Sequence, residues 1–306
     1  MTVTISHPAS GRVFWNRSFH IVAWNGPSDH DRLHRVAARI VEAALSVLRQ
    51  RRDELRLRNC AALSAYHGRS LIFGFDKTSL AEADHHLRFA WNHEPRPQYL
   101  AWRAFLRNMA NFQHRTCDFL DDPIDIETLA QEAIRQAPGS AITLGVGAHI
   151  EYLSGGSHRS SLQLARRAVD YDPLNAVNFA ILSNTELALG HREESRRSAL
   201  KALALAGAGD HRAFAEFFGC MSAAALGDYQ AAIDHAEAAL VLRPAFRAPL
   251  RYLVALYKCV GTSADRERVL ARMRRLEPDF HEGRLLEGDY PVTTMRRMRL
   301  IDMIAR

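Results

Sequence analysis

Cysteine is scarce in this 306-residue chain, and the four present, Cys60, Cys117, Cys220 and Cys259, are scattered and never spaced two apart. With no secretory leader beside them, neither a disulfide framework nor a cysteine-rich metal site is indicated, and they read as reduced core thiols. Long apolar runs are missing as well. Nothing approaches the roughly 20 consecutive apolar residues of a membrane span, and the first residues lack the basic-then-apolar layout of a signal peptide. No membrane span is expected, and the cytoplasm is the expected location. Charge of one sign is not in large excess: 40 basic residues against 34 acidic ones leave +6, which permits an acidic partner without establishing one. There is no Gly-interleaved aromatic motif, zinc-finger spacing or helix-turn-helix opening, which weighs against direct nucleic-acid binding. Glycine and proline are moderate at 17 and 11, with 47% hydrophobic and 24% charged residues. That is a globular composition, long enough for one extended solenoid or two compact domains.

What is there begins with two β-leaning runs, Thr2 to Ile5 and Val13 to Ile21, joined by Pro8-Ala9-Ser10-Gly11, whose turn formers suit a hairpin. Ser28 or Asp29 then stands where a helix cap is wanted, and Leu33, Val36, Ile40, Ala44, Leu45 and Leu48 recur at helical spacing until the Arg49-Gln50-Arg51-Arg52 cluster. Two strands and one helix are too little for an independent sheet domain. Residues 1–58 are therefore expected to be the tail of something larger or to dock on the helices after them.

From about Ala61 strand signals vanish, and short helical patterns alternate with breakers. Pro95, Pro138, Pro173, Gly207, Pro244 and Pro278 are separated by 43, 35, 34, 37 and 34 residues. Gly156, Gly190, Gly227 and Gly261 step by 34, 37 and 34. Alanines recur one turn before each terminator, at Ala133, Ala168, Ala202 and Ala239, preceded by Ala130, Ala165, Ala199 and Ala236. Small residues at such spacing permit close helix contacts.

This rhythm resembles the tetratricopeptide repeat, a helix-turn-helix unit of about 34 residues. The segment Gly227-Asp228-Tyr229-Gln230-Ala231-Ala232-Ile233-Asp234-His235-Ala236-Glu237-Ala238-Ala239-Leu240, ending at Leu242-Arg243-Pro244, looks like the family's second-helix signature. The match departs at His114, His149 and Ser183, where a small residue is usual, and at Gly207, which replaces a terminal proline. The resemblance implies an all-α fold: a right-handed superhelix of about six antiparallel helix pairs over residues 59–280, preceded by the hairpin and helix and closed by a capping segment, 281–306. A single pair cannot hide its apolar face, so pairs stack and leave a concave face built by the first helices. On this register Asn111, Arg115, Asp118, Asn184, Phe217, Met221, Arg251 and Lys258 point into that groove and are the expected partner-binding residues. The Lys and Asn pair with which some family members clamp a peptide carboxylate is missing; Asn111 and Arg115 occupy the corresponding places. The stretch Gly11 to Phe19 with its following helix, together with Gly288 to Met295, is similar to parts of the TolB-type module and of the repeat-bearing half of bacterial winged-helix transcription regulators and class III adenylate cyclases.

Catalytic chemistry finds no foothold. His85-His86, and His149 with Glu151, lack the four-residue spacing of helical zinc ligands. Ser154-Gly155-Gly156-Ser157 has no phosphate-loop lysine, and Asp121, Asp122, Asp125 and Glu127 read as a helix start. Val292, Met295, Met298, Ile301 and Ile304 share one face of a helical pattern whose arginines fall elsewhere, as suits a cap on the solenoid's last apolar surface. The expectation is a non-enzymatic, regulatory interaction protein that binds a protein segment and needs no cofactor or metal. Its hairpin and final helix offer surfaces for a homodimer. The alternative is a transcription regulator or cyclase-type signalling protein without its output domain.

Overall fold

The computed structural model describes residues 2–6, 13–18, 36–37, 40–41, 43–48, 50–51, 60–120 and 124–305. The expected turn at 8–11, the caps Ser28 and Asp29, Leu33 and the Asp121-Asp122-Pro123 stretch lie outside these residues. Strands β1 (Thr2–Ser6) and β2 (Val13–Ser18) pair antiparallel, Thr2 opposite Ser18 and Ser6 opposite Val13, with an irregularity between Ile5 and Ser6. The described positions between 36 and 50 are helical.

Six antiparallel pairs follow: α1 (Ala61–Ile72) with α2 (Lys77–His93), α3 (Pro97–His114) with α4 (Ile126–Gln136), α5 (Ala141–Leu153) with α6 (His158–Tyr171), α7 (Ala176–Ala188) with α8 (Arg192–Ala206), α9 (Arg212–Ala225) with α10 (Tyr229–Leu242), and α11 (Arg247–Val260) with α12 (Ser263–Leu276). The boundaries have local causes. Asp76, Asp125, Ser157, Asn175 and Asp228 each accept a first-turn amide, and Thr262 forms a reciprocal capping box with Asp265. Asp125 is thus the carboxylate that starts α4. Pro97 opens α3 at a position that needs no amide donor. Gly190 and Gly227 adopt φ near +81° in the turns within their pairs, a region that costs a glycine little. In the corresponding turn of the third pair it is Gly155, not Gly156, that takes φ +80°. Gly261 is extended instead.

Ala133, Ala168, Ala202 and Ala239 on the second helices are all wholly inaccessible, because a larger side chain there would push neighbouring pairs apart. The first helices α3, α5, α7 and α9 touch one another in series and form an inner layer. This is a TPR-like superhelix of antiparallel helix pairs.

The array curls until its beginning meets its end. Phe75, after α1, stacks on Phe246 at the start of α11 with ring centroids 3.8 Å apart. Phe73 meets Phe214 of α9 edge-on, while Arg243 donates to the Phe73 carbonyl at 2.8 Å. Arg251 and Arg247 of the last pair donate to the Phe112 and Gln113 carbonyls at the end of α3, at 2.7 and 2.9 Å. Beyond α12 come a 3-10 turn (Glu282–Leu286), α13 (Thr293–Arg297) and α14 (Asp302–Ala305). The single amphipathic helix expected over 292–304 is broken: Arg299 sits in the left-handed region, φ 57°, and Leu300 is buried beside Val292, Met295 and Ile304.

Candidate functional site

The inner layer lines a partly open cavity of about 40 Å³. Its solenoid walls come from the first helices and the residue that precedes α11: Met109 and Phe112 of α3, His149 and Leu153 of α5, Asn184 of α7, Phe217 and Met221 of α9, Phe246, and Arg251 and Tyr252 of α11. The remaining wall is Pro291 to Met295, part of the chain's own last segment. The terminal segment therefore covers the inner face of the solenoid, reaching pairs three and four as well as the last.

Three polar clasps seat it. At one end Tyr290 donates to Glu277 Oε2 at 2.8 Å and accepts from Arg251 Nε at 3.3 Å. Arg251, only 1% exposed, also reaches Glu277 Oε1 at 3.1 Å, and Arg247 lies 3.5 Å from the same oxygen. Glu277 is itself buried, so its charge is held by guanidinium groups from α11 rather than by water. Burial pushes the Tyr290 phenol up to about 12, against the opposing pull of Arg251. In the middle, the Thr294 hydroxyl lies 2.9 Å from the Tyr152 hydroxyl and 3.5 Å from Asn184 Oδ1, with the Arg297 guanidinium over the Tyr152 ring. At the far end Lys258 Nζ donates to the Ile304 carbonyl at 2.7 Å.

His149 lies wholly inside, both ring nitrogens without a hydrogen-bond partner, and burial pulls its pKa down to about 4. The Tyr252 hydroxyl, also lining the cavity, is likewise unpartnered. Such groups are costly in an apolar enclosure.

Of the eight residues expected to face the groove, Asn184, Phe217, Met221 and Arg251 line this cavity and are buried, and Lys258 is half-buried against the tail. Arg115 caps α3 in a left-handed conformation and pairs with Asp279 at 3.0 Å. Asn111 and Asp118 are exposed and take no part in the lining. Tyr152, Thr294, Tyr290 and Glu277 were not legible as partners, since each pair is far apart in sequence or lies beyond the repeats. One signal was present: α5 is apolar on most sides, and a helix of that kind is covered on most sides.

Among the described residues no group of three or more His, Cys, Asp or Glu is placed to hold a metal ion, and no described helix is long and apolar enough to cross a membrane. His86, one of the two adjacent histidines, instead bonds Ser64 at 3.0 Å.

No family model matches the sequence, and no curated protein does. Solved structures do. The human IFIT1 dimer with PPP-AAAA aligns at 14% identity over 90% of this chain and 68% of that one, with a TM-score of 0.55. PilW, a type IV pilus biogenesis factor, aligns at 14% identity over 68% of this chain and 90% of its own, TM-score 0.49. A thermophilic TPR protein of Thermus thermophilus aligns at 14% over 64% and 91%, TM-score 0.41. The fold is TPR-like. At these identities the likeness extends to the fold alone, and the comparisons give no support to the resemblance to winged-helix regulators or cyclases.

Proposed function

We propose that this chain is a non-enzymatic, regulatory interaction scaffold of the cytoplasm, whose inner face receives a segment of another protein. Residues 1–58 serve as a docked hairpin and helix, 59–280 as the solenoid and 281–306 as its closing segment. The observation that supports this reading is that a length of polypeptide, residues 290–304, already lies against the first helices, held by side-chain clasps and by apolar contact. A surface that seats one such segment has the shape and chemistry to seat another.

The test is to select peptides on the full-length chain from a displayed random library and locate them with a photo-crosslinking residue. Placed at Phe112, which lines the cavity, the crosslinker should capture the selected peptides; placed at Leu200, 46% exposed on α8, it should not. Capture at Leu200 and not at Phe112 would put the binding surface on the second helices and sink the groove reading.

A further inference from the structure

The groove's present occupant is held by polar contacts at three points and by buried apolar side chains, Val292, Met295 and Leu300, between them. Its core, Tyr290-Pro291-Val292-Thr293-Thr294-Met295, carries no charge, and Tyr290, Val292, Thr294 and Met295 are the residues that sink into the seat. Yet the cavity of about 40 Å³ beneath it is room for more than one water-sized group, and the His149 ring and Tyr252 hydroxyl that line it stay unpartnered. A segment that filled this space, or offered a donor and acceptor to it, would fit better than the tail does.

The tail also has little structure of its own to lose. α13 spans 5 residues and α14 only 4, too short to persist without the solenoid, so the seat and not the segment's own helicity keeps it ordered. It is joined to the array through Gly288 and Asp289, both exposed, and a Cβ added at Gly288 would meet nothing within 4 Å. An open joint, weak local structure and an incompletely filled seat are the features of a unit that opens before the rest of the protein.

We propose that residues 289–304 are a detachable stand-in for the scaffold's partner. The groove takes an uncharged protein segment bearing an aromatic hydroxyl, a Thr hydroxyl four residues later and a Met beside it, and the tail occupies the seat until such a segment displaces it. The proposal rests on the groove reading above and adds to it the chemistry of the occupant and a competition within one chain.

The full-length chain with a protease site inserted after Gly288 tests this. Once cut, it should keep its helical circular dichroism, release its fragment on gel filtration and bind a fluorescent peptide of residues 289–306. The uncut chain should bind that peptide at least about tenfold more weakly, since the tethered tail competes at high effective concentration. A Thr294→Val peptide should lose about fivefold in affinity and a Tyr290→Phe peptide, deprived of its bond to buried Glu277, about tenfold or more. A fragment that never exchanges, or a solenoid that unfolds when it leaves, would make the tail permanent core and overturn the proposal. A second measurement needs no cut: in the intact chain the amides of Arg296 and Leu300, bonded to the Val292 and Met295 carbonyls, should exchange with solvent faster than those of α9, and equal protection would contradict detachment. If the peptide exchanges but no library peptide crosslinks at residue 112, detachment stands and the partner reading fails.

Discussion

The helices α9 and α12 have 14 residues each, yet in α9 all but Arg212 are buried, whereas in α12 only Val269, Leu270 and Met273 are. Both belong to the same repeat architecture, so the difference comes from position. A second helix packs along one stripe and turns its remaining sides to solvent. A first helix packs against its partner, against the first helices on either side and, here, against residues 290–304 and the returning end of the array. A solenoid with an open groove would leave one side of every first helix exposed; in this one the groove is covered from within.

The contrast is sharpest for a charge. Arg251→Met should lower stability by about 3–5 kcal/mol in denaturant titrations, because buried Glu277 loses its nearest counter-charge. Arg275→Met, on the exposed side of α12, should change it by less than about 0.5 kcal/mol. Similar losses at the two positions would erase the distinction between the layers.

Acid should also act from the inside. The folded chain keeps His149 neutral down to about pH 4, whereas the unfolded chain takes up its proton near the ordinary value of 6.5. Stability from this group is complete above pH 6.5 and drains away as pH falls towards 4, by on the order of 3 kcal/mol in all. His211 and His114, both pulled down to about 4 chiefly by burial, act in the same direction. Thermal melts at steps between these values should show the decline, and His149→Phe should flatten part of it. An unaltered slope in that variant would place His149 in water.

Smaller effects belong to the turns and outer surface. Gly227→Ala should cost about 1 kcal/mol, because φ +81° strains any residue with a Cβ. Thr262→Ala should cost about 1 kcal/mol through loss of the α12 capping box. Val241→Ala, at a residue 81% exposed, should stay within about 0.5 kcal/mol.

The helix pairs were legible because their determinants are local and repeated. The breakers at Pro138, Pro173 and Pro244 mark turns between pairs, and the alanines at 133, 168, 202 and 239 mark positions where second helices meet their neighbours with no room to spare. The tail's seat was not legible, for the opposite reason. Thr294 finds Tyr152 across 142 residues and Asn184 across 110, separations on which no periodicity bears. Reading 292–304 as one helix followed its apolar spacing, but the packing of Leu300 and Ile304 requires a reversal at Arg299 that spacing does not encode. Arg251 reads from sequence as a groove residue for a partner, whereas its carboxylate, Glu277, lies in the same chain 26 residues away, just past the end of α12, a separation that the repeat spacing does not encode.

The claim on which the rest depends is that residues 290–304 lie on the inner face of the same molecule. Replacing Asn184 and Thr294 by cysteine, at side chains that approach to 3.5 Å, and oxidising a dilute sample tests it most directly. The account predicts rapid formation of a disulfide within the monomer, and none in the control pair Leu200→Cys with Thr294→Cys. Failure of the first pair to close, or equal closure of the control, would mean that the groove is open and the tail lies elsewhere.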